Sequence, residues 1–187
     1  MSEIENIIDE SSDTILSLKN NSSEIKKAID LICDCIDTGK KIVLFGNGGS
    51  AADSQHIAAE FLGRFLEERQ SFPAIALSTD TSTITSLSND YSYEIIFQRQ
   101  CESLVESGDV VVGISTSGNS KNVENGLKLS HEKGARTIAL LGNNGGKIKD
   151  IVDIPIIVNS SSTPRIQEAH RTIYHIICEL VEKSLIN

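Results

Sequence analysis

The sequence predicts an α/β protein: a three-layer αβα sandwich on a five-stranded parallel sheet, with extra helices at the N-terminus. Three observations predict it. Helix-like and strand-like segments alternate along the chain. The strand segments are almost wholly apolar instead of alternating, as strands covered on both faces must be. Two of them run directly into Gly/Asn/Ser loops that open a helix, the grammar of a βα unit.

The elements follow in order. Ile4, Ile7, Ile8, Ile15 and Leu18 recur at a helical period. A second helix is expected from about Ser23 to Asp37, capped by Ser22 or Ser23 and ended by Gly39. Lys41 to Phe45 reads as a strand that breaks into Gly46-Asn47-Gly48-Gly49-Ser50, with a helix to about Leu66. Pro73 to Leu77 is a strand, Ser82 to Ser88 a short helix and Tyr93 to Glu106 another helix. Asp109 to Ile114 is the most apolar strand; a helix from Asn119 to Lys133 follows, with Gly134 as its C-cap. Thr137 to Leu141 and Ile151 to Val158 are the last strands, the second interrupted by Pro155. The final helix spans about Pro164 to Leu185, with proline in the first turn, where its missing N–H costs nothing. Crossovers between these strands are expected to be right-handed.

With 187 residues, the chain suits one domain: N-terminal helices over 1–38, then sheet core and C-terminal helix over 39–187. No apolar run reaches the roughly 18 residues that span a bilayer, and Met1 to Asp13 is acidic and polar, unlike a secretory signal. A cytoplasmic location and no membrane partner are therefore expected. The net charge is −9 and no Lys/Arg stripe is present, which disfavours nucleic acid. An anionic ligand would rely on helix N-termini for positive field. Cys33, Cys35, Cys101 and Cys178 read as reduced thiols, since Cys33-x-Cys35 lacks the C-x-x-C spacing.

In open α/β sheets, ligands bind beyond the carboxyl ends of the strands. Ser115-Thr116-Ser117-Gly118-Asn119-Ser120 lies there, with four hydroxyls in six residues and Gly118 for a tight turn. With the N–H groups of the next helix it makes a site for a small phosphate monoester. There is no Walker pattern, and composition leaves a plain capping turn equally open. Gly46 to Ser50 lacks the dinucleotide-binding glycine order, and reads as a turn that lets backbone approach a ligand.

His56 and Glu60 share a helix face at i,i+4, a spacing that serves a metal, an acid–base pair or an ordinary exposed pair. The last helix carries Gln167, Glu168, His170 and His175, with His175 beside the apolar stripe and open to a core role. His131 sits at a helix end and reads as solvated.

Six segments in order resemble the sugar isomerase (SIS) family and, within it, the bacterial phosphoheptose isomerases. They are Gly46 to Ser50, His56 to Glu60, Pro73 to Leu77, Asn89-Asp90, Gly113 to Ser120 and Arg165-Ile166-Gln167-Glu168, with His175 at the family's spacing beyond Gln167. The resemblance runs over nearly the whole chain. It implies a flavodoxin-like SIS fold and a homotetramer with sites near subunit interfaces. It implies conversion of D-sedoheptulose 7-phosphate to D-glycero-D-manno-heptose 7-phosphate, the first step towards nucleotide-activated heptoses for lipopolysaccharide, capsule or other surface glycans. One Zn²⁺ per subunit is implied, with His56, Glu60, Gln167 and His175 as ligands. Implied substrate contacts are Asn47, Gly48, Gly49, Glu60, Asn89, Asp90, Ser115, Thr116, Ser117, Ser120 and Gln167. In an enediol mechanism Glu60 takes the carbon-bound proton and His175 serves the oxygens, while zinc polarises the carbonyl.

Two tensions accompany this picture. A zinc-bound carboxylate is a weaker base. Gln167 and His175 stand eight residues apart, about 12 Å along one helix, so sharing a metal needs full reach or a second subunit. The chain also has Pro164 where some relatives carry an acid. Two rivals remain at this point. One is a non-catalytic tetrameric relative that binds the replication initiator, which the presence of both Glu60 and His175 disfavours. The other is an isomerase of another sugar phosphate, whose pentose-phosphate members carry further domains that this length does not accommodate.

Overall fold

The computed structural model describes residues 2–186. Its sheet has five parallel strands: β1 (Ile42–Gly46), β2 (Ala74–Ala76), β3 (Val110–Ser115), β4 (Arg136–Gly142) and β5 (Ile154–Val158). Their spatial order is β2-β1-β3-β4-β5, the flavodoxin-like order. Successive residues of each strand face opposite sides. Ile42 and Leu44 of β1 therefore enter one core with Val110, Val112, Ile138 and Leu140. Val43 and Phe45 enter the other with Val111, Ala139 and Leu141. Two buried faces explain why the strands are continuously apolar.

Helices α2 (Ser22–Asp37), α3 (Gly49–Leu62) and α7 (Thr163–Ile186) cover the first face. Helices α4 (Thr81–Asp90), α5 (Ile96–Leu104) and α6 (Lys121–Glu132) cover the second. Helix α1 (Glu3–Ser17) lies against α7, where Ser11 Oγ donates to Glu168 Oε2 at 2.7 Å and Arg165 Nη1 to the Ile7 carbonyl at 3.1 Å. Buried residues are absent from α1, and Ile4, Ile8 and Leu16 are more than half exposed. No helix among the described residues is long and apolar enough to cross a membrane. All four cysteines are free thiols, and His131 is exposed.

Several expected boundaries shift for identifiable reasons. The N-cap of α2 is Asn21, without a side-chain cap bond: its amide donates to the Ile157 carbonyl at 3.1 Å, and the Ser22 hydroxyl donates back to the Lys19 carbonyl at 2.6 Å. Helix α3 ends at Leu62 instead of Leu66: Gly63 caps it, and the Arg69 guanidinium takes the carbonyls of Glu60, Phe61 and Gly63. The segment from Tyr93 divides into a 3₁₀ turn, Tyr93–Ile95, and α5. Strand β5 begins at Ile154, and Pro155 is tolerated there because β5 is an edge strand.

Candidate active site

Strand order reverses between β1 and β3, so the loops after these two strands flank a switch point, where open α/β sheets bind ligands. Phe45 pairs with Gly113 and Gly46 with Ile114, which sets Asn47 to Ser50 beside Thr116 to Ser120. The loops are joined by side chains. Asn47 and Asn122 exchange amide hydrogen bonds at 2.8 and 2.9 Å, and the Tyr93 hydroxyl donates to Asn47 Oδ1 at 2.8 Å. Neither Asn122 nor Tyr93 stood out in the sequence, because nothing there signals which side chain will reach across a strand pair.

Ser120 occupies the N-cap of α6 but makes no side-chain cap bond. Its Oγ lies 2.9 Å from Ser115 Oγ, which in turn stands 3.5 Å from Ser117 Oγ. Ser117 Oγ also accepts from the Asn119 N–H at 3.1 Å, so the three hydroxyls line the loop that leads into α6. Hydroxyls grouped at a helix start are of the kind that can take an anion. Gly118, at φ +65°, is required here: a Cβ would stand 2.2 Å from the Gly145 carbonyl oxygen.

A second cluster lies along α3 and α7. His56 Nε2 and Glu60 Oε1 are 2.8 Å apart, one helical turn from each other. The His175 ring stands edge-on to His56, with centroids 5.4 Å apart, and the Phe65 ring packs against it, tilted, at 5.7 Å. Burial and the neighbouring His56 draw His175 below the ordinary imidazole range, against the pull of Glu60. Gln167 lies elsewhere: its amide packs on Gly49, where a Cβ would approach Nε2 to 2.4 Å. His56, Glu60 and His175 therefore converge, while Gln167 sits at the start of α3. Asn89 and Asp90, at the end of α4, hydrogen-bond to each other at 2.8 Å.

Two imidazoles and a carboxylate are a donor set of the kind that holds catalytic zinc. Among the described residues, however, no three His, Cys, Asp or Glu side chains stand together closely enough to hold a metal ion. His56 and Glu60 instead engage each other.

The SIS domain family model matches residues 8–142. The phosphoheptose isomerase of Geobacter sulfurreducens is 56% identical over 164 residues, covering 88% of this chain and 87% of that protein. This chain belongs to the phosphoheptose isomerase family. It is similarly 55% identical to the Aquifex aeolicus phosphoheptose isomerase over 162 residues, 87% of this chain and 85% of that one. The solved phosphoheptose isomerase structure from Neisseria gonorrhoeae matches with a TM-score of 0.91 at 38% identity, covering 96% of this chain and 97% of that one. The Francisella tularensis phosphoheptose isomerase matches at 0.92 and 31% identity, covering 98% and 100%. As a member of this family, the chain is an isomerase.

Three residues that sequence reasoning passed over stand behind His56. The Tyr174 hydroxyl is 3.0 Å from His56 Nδ1, Asp53 lies behind Tyr174, and Arg171 Nη2 donates to Asp53 Oδ1 at 3.0 Å. Burial, with the Asp53 carboxylate nearby, pushes the Tyr174 phenol up to about 12. The available signal was a pair of i,i+3 spacings, Asp53 with His56 and Arg171 with Tyr174, which put each pair on one helix face. His170, on the same helix, is fully buried, gives its Nε2 to the Leu141 carbonyl at 3.1 Å, and is pushed down to about 4 by burial.

Proposed function

We propose that the chain interconverts D-sedoheptulose 7-phosphate and D-glycero-D-manno-heptose 7-phosphate through an enediol. The observation that carries the reading is the convergence of His56, Glu60 and His175 in a chain more than half identical to phosphoheptose isomerases. Ketose–aldose exchange moves a proton between C1 and C2. Glu60 takes and returns the carbon-bound proton. His175 serves the two oxygens, and its lowered pKa supplies the neutral imidazole that such an exchange needs at pH 7. The phosphate is held by Ser115, Thr116, Ser117 and Ser120 with the first N–H groups of α6. Asn47, Gly48, Gly49, Asn89, Asp90 and Gln167 bind the rest of the sugar.

One zinc ion per subunit would be held by His56, Glu60, Gln167 and His175, and when bound it polarises the substrate carbonyl. Glu60 serves as a base only while free of the cation, since a bound carboxylate loses basicity. Glu60 lies eleven residues beyond Gly49, about 16 Å along α3. That distance, and the separation of Gln167 from His175, favour a site completed across subunits. The uncovered apolar residues of α1 supply surface for the homotetramer this requires. The product starts the synthesis of nucleotide-activated heptoses for surface glycans, in the cytoplasm.

Incubation with sedoheptulose 7-phosphate and zinc, followed by separation of the two sugar phosphates, tests this reading. The expected result is conversion in both directions. Absence of conversion together with binding of the replication initiator would replace the enzyme with a scaffold. Faster turnover of a pentose or hexose phosphate would reassign the substrate.

A further inference from the structure

Ser115 of β3 pairs with Leu141 of β4, so the chain leaving β4 through Gly142-Asn143-Asn144-Gly145-Gly146 runs beside the loop from Ser115 to Ser120. The two backbones touch. A Cβ on Gly142 would collide with the Thr116 carbonyl oxygen, and one on Gly146 with that of Gly118. Three hydrogen bonds cross the contact. Asn143 Nδ2 donates to the Thr116 carbonyl at 3.0 Å, the Ile148 N–H to the Gly118 carbonyl at 3.1 Å, and the Lys147 N–H to Asn119 Oδ1 at 3.2 Å.

A carbonyl oxygen only accepts hydrogen bonds, so one aimed at a phosphate would repel it. Each carbonyl from Ser115 to Gly118 is instead engaged by a protein donor. Ser115 accepts from the Gly118 N–H at 3.1 Å and Ser117 from Asn119 Nδ2 at 2.9 Å, both within the loop. Thr116 and Gly118 depend on the chain after β4. The Thr116 donor is a side chain at an unusual place: Asn143 has φ +54°, the one positive φ outside glycine among the described residues, and its N–H donates to the Ser160 carbonyl at 3.0 Å. Asparagine tolerates that backbone better than most side chains. Glycine would tolerate it too, but would bring no donor.

We propose that Asn143 is a positioning residue for the substrate phosphate: its amide holds the Thr116 carbonyl turned away from the anion, which keeps the loop's hydroxyls towards it. The inference rests on the reading that Ser115, Thr116, Ser117 and Ser120 hold that phosphate.

Asn143→Gly removes the amide and suits the backbone angle, so the subunit should fold; Asn143→Ala gives the same comparison should glycine loosen the loop. KM for sedoheptulose 7-phosphate and Ki for inorganic phosphate should rise together by about fivefold, the worth of one neutral hydrogen bond, with kcat kept within about twofold. Asn159→Ala, in the same cleft, should change neither constant. Unchanged KM and Ki in both Asn143 variants, while Ser120→Ala raises them, would overturn the positioning role alone. So would a fall in kcat at constant KM and Ki, or an equal rise in Asn159→Ala. Wild-type protein that phosphate does not inhibit, or constants unmoved by Ser120→Ala as well, would overturn the phosphate reading and the inference with it.

Discussion

Arg69 Nη2 donates to the main-chain carbonyl of Glu60 at 2.8 Å, tying the end of α3 to a buried ion pair. The same guanidinium bonds Glu182 Oε2 through Nε at 2.9 Å, and both side chains are nearly inaccessible. Glu182 also accepts from the N–H groups of Phe65, Leu66 and Glu67. Burial raises the Glu182 carboxyl, but these donors and Arg69 hold it below the usual range. Removing one partner of such a pair leaves an uncompensated charge, so Arg69→Ala should cost about 3–5 kcal/mol. Urea denaturation measures it. Phe65 should leave His175 in the same variant, so activity should fall even where the protein remains folded.

Glu60→Gln and His175→Gln should each lower kcat by about 10²–10⁴-fold, the range of a lost general acid or base. Steady-state kinetics with sedoheptulose 7-phosphate checks this. Near-normal turnover by Glu60→Gln with zinc still bound would remove Glu60 as the base.

Ser120→Ala should act on binding and spare chemistry. Its hydroxyl faces Ser115 instead of capping α6, so its loss should leave helix stability almost unchanged. A hydrogen bond to a charged group is worth about 1.5–3 kcal/mol, so KM should rise by about tenfold or more with kcat retained. Competitive inhibition by inorganic phosphate should weaken in parallel.

His170 predicts an acid limit to stability. Burial holds it at about 4 in the folded chain, below the 6.5 of a free imidazole. Below pH 6.5 the unfolded chain therefore binds a proton that the folded one refuses. Stability is lost as pH falls from 6.5 to about 4, by up to about 3 kcal/mol from this residue. The unpartnered Nδ1 inside the core sharpens the effect. His170→Gln should flatten the dependence of Tm on pH across that window, measured by calorimetry.

Ile8 lies on the uncovered face of α1. Ile8→Asp should leave the subunit fold intact and break up the proposed homotetramer. Sedimentation velocity reads the difference, and an unchanged tetramer would place the interface elsewhere.

The sequence alone determined the elements and their stacking. Continuous apolar runs such as Val110 to Ile114 state that both faces are buried, because each successive side chain must find a core. The Gly/Asn/Ser loops were legible for a similar reason: turn chemistry is local, and few residue types permit it. The pairing of His56 with Glu60 was legible as well, since four residues fix their relation on any helix. Only the tertiary structure decided what lies between elements. It set His175 against His56 but Gln167 against Gly49, twelve ångströms of helix having no sequence signature of where each end will dock. It turned Ser120 away from its cap, stopped α3 at Leu62 through an arginine beyond the helix, and placed Tyr174, Asp53 and Arg171 behind His56. Each of these depends on the angle and register with which two elements meet, and those follow from packing the whole core at once.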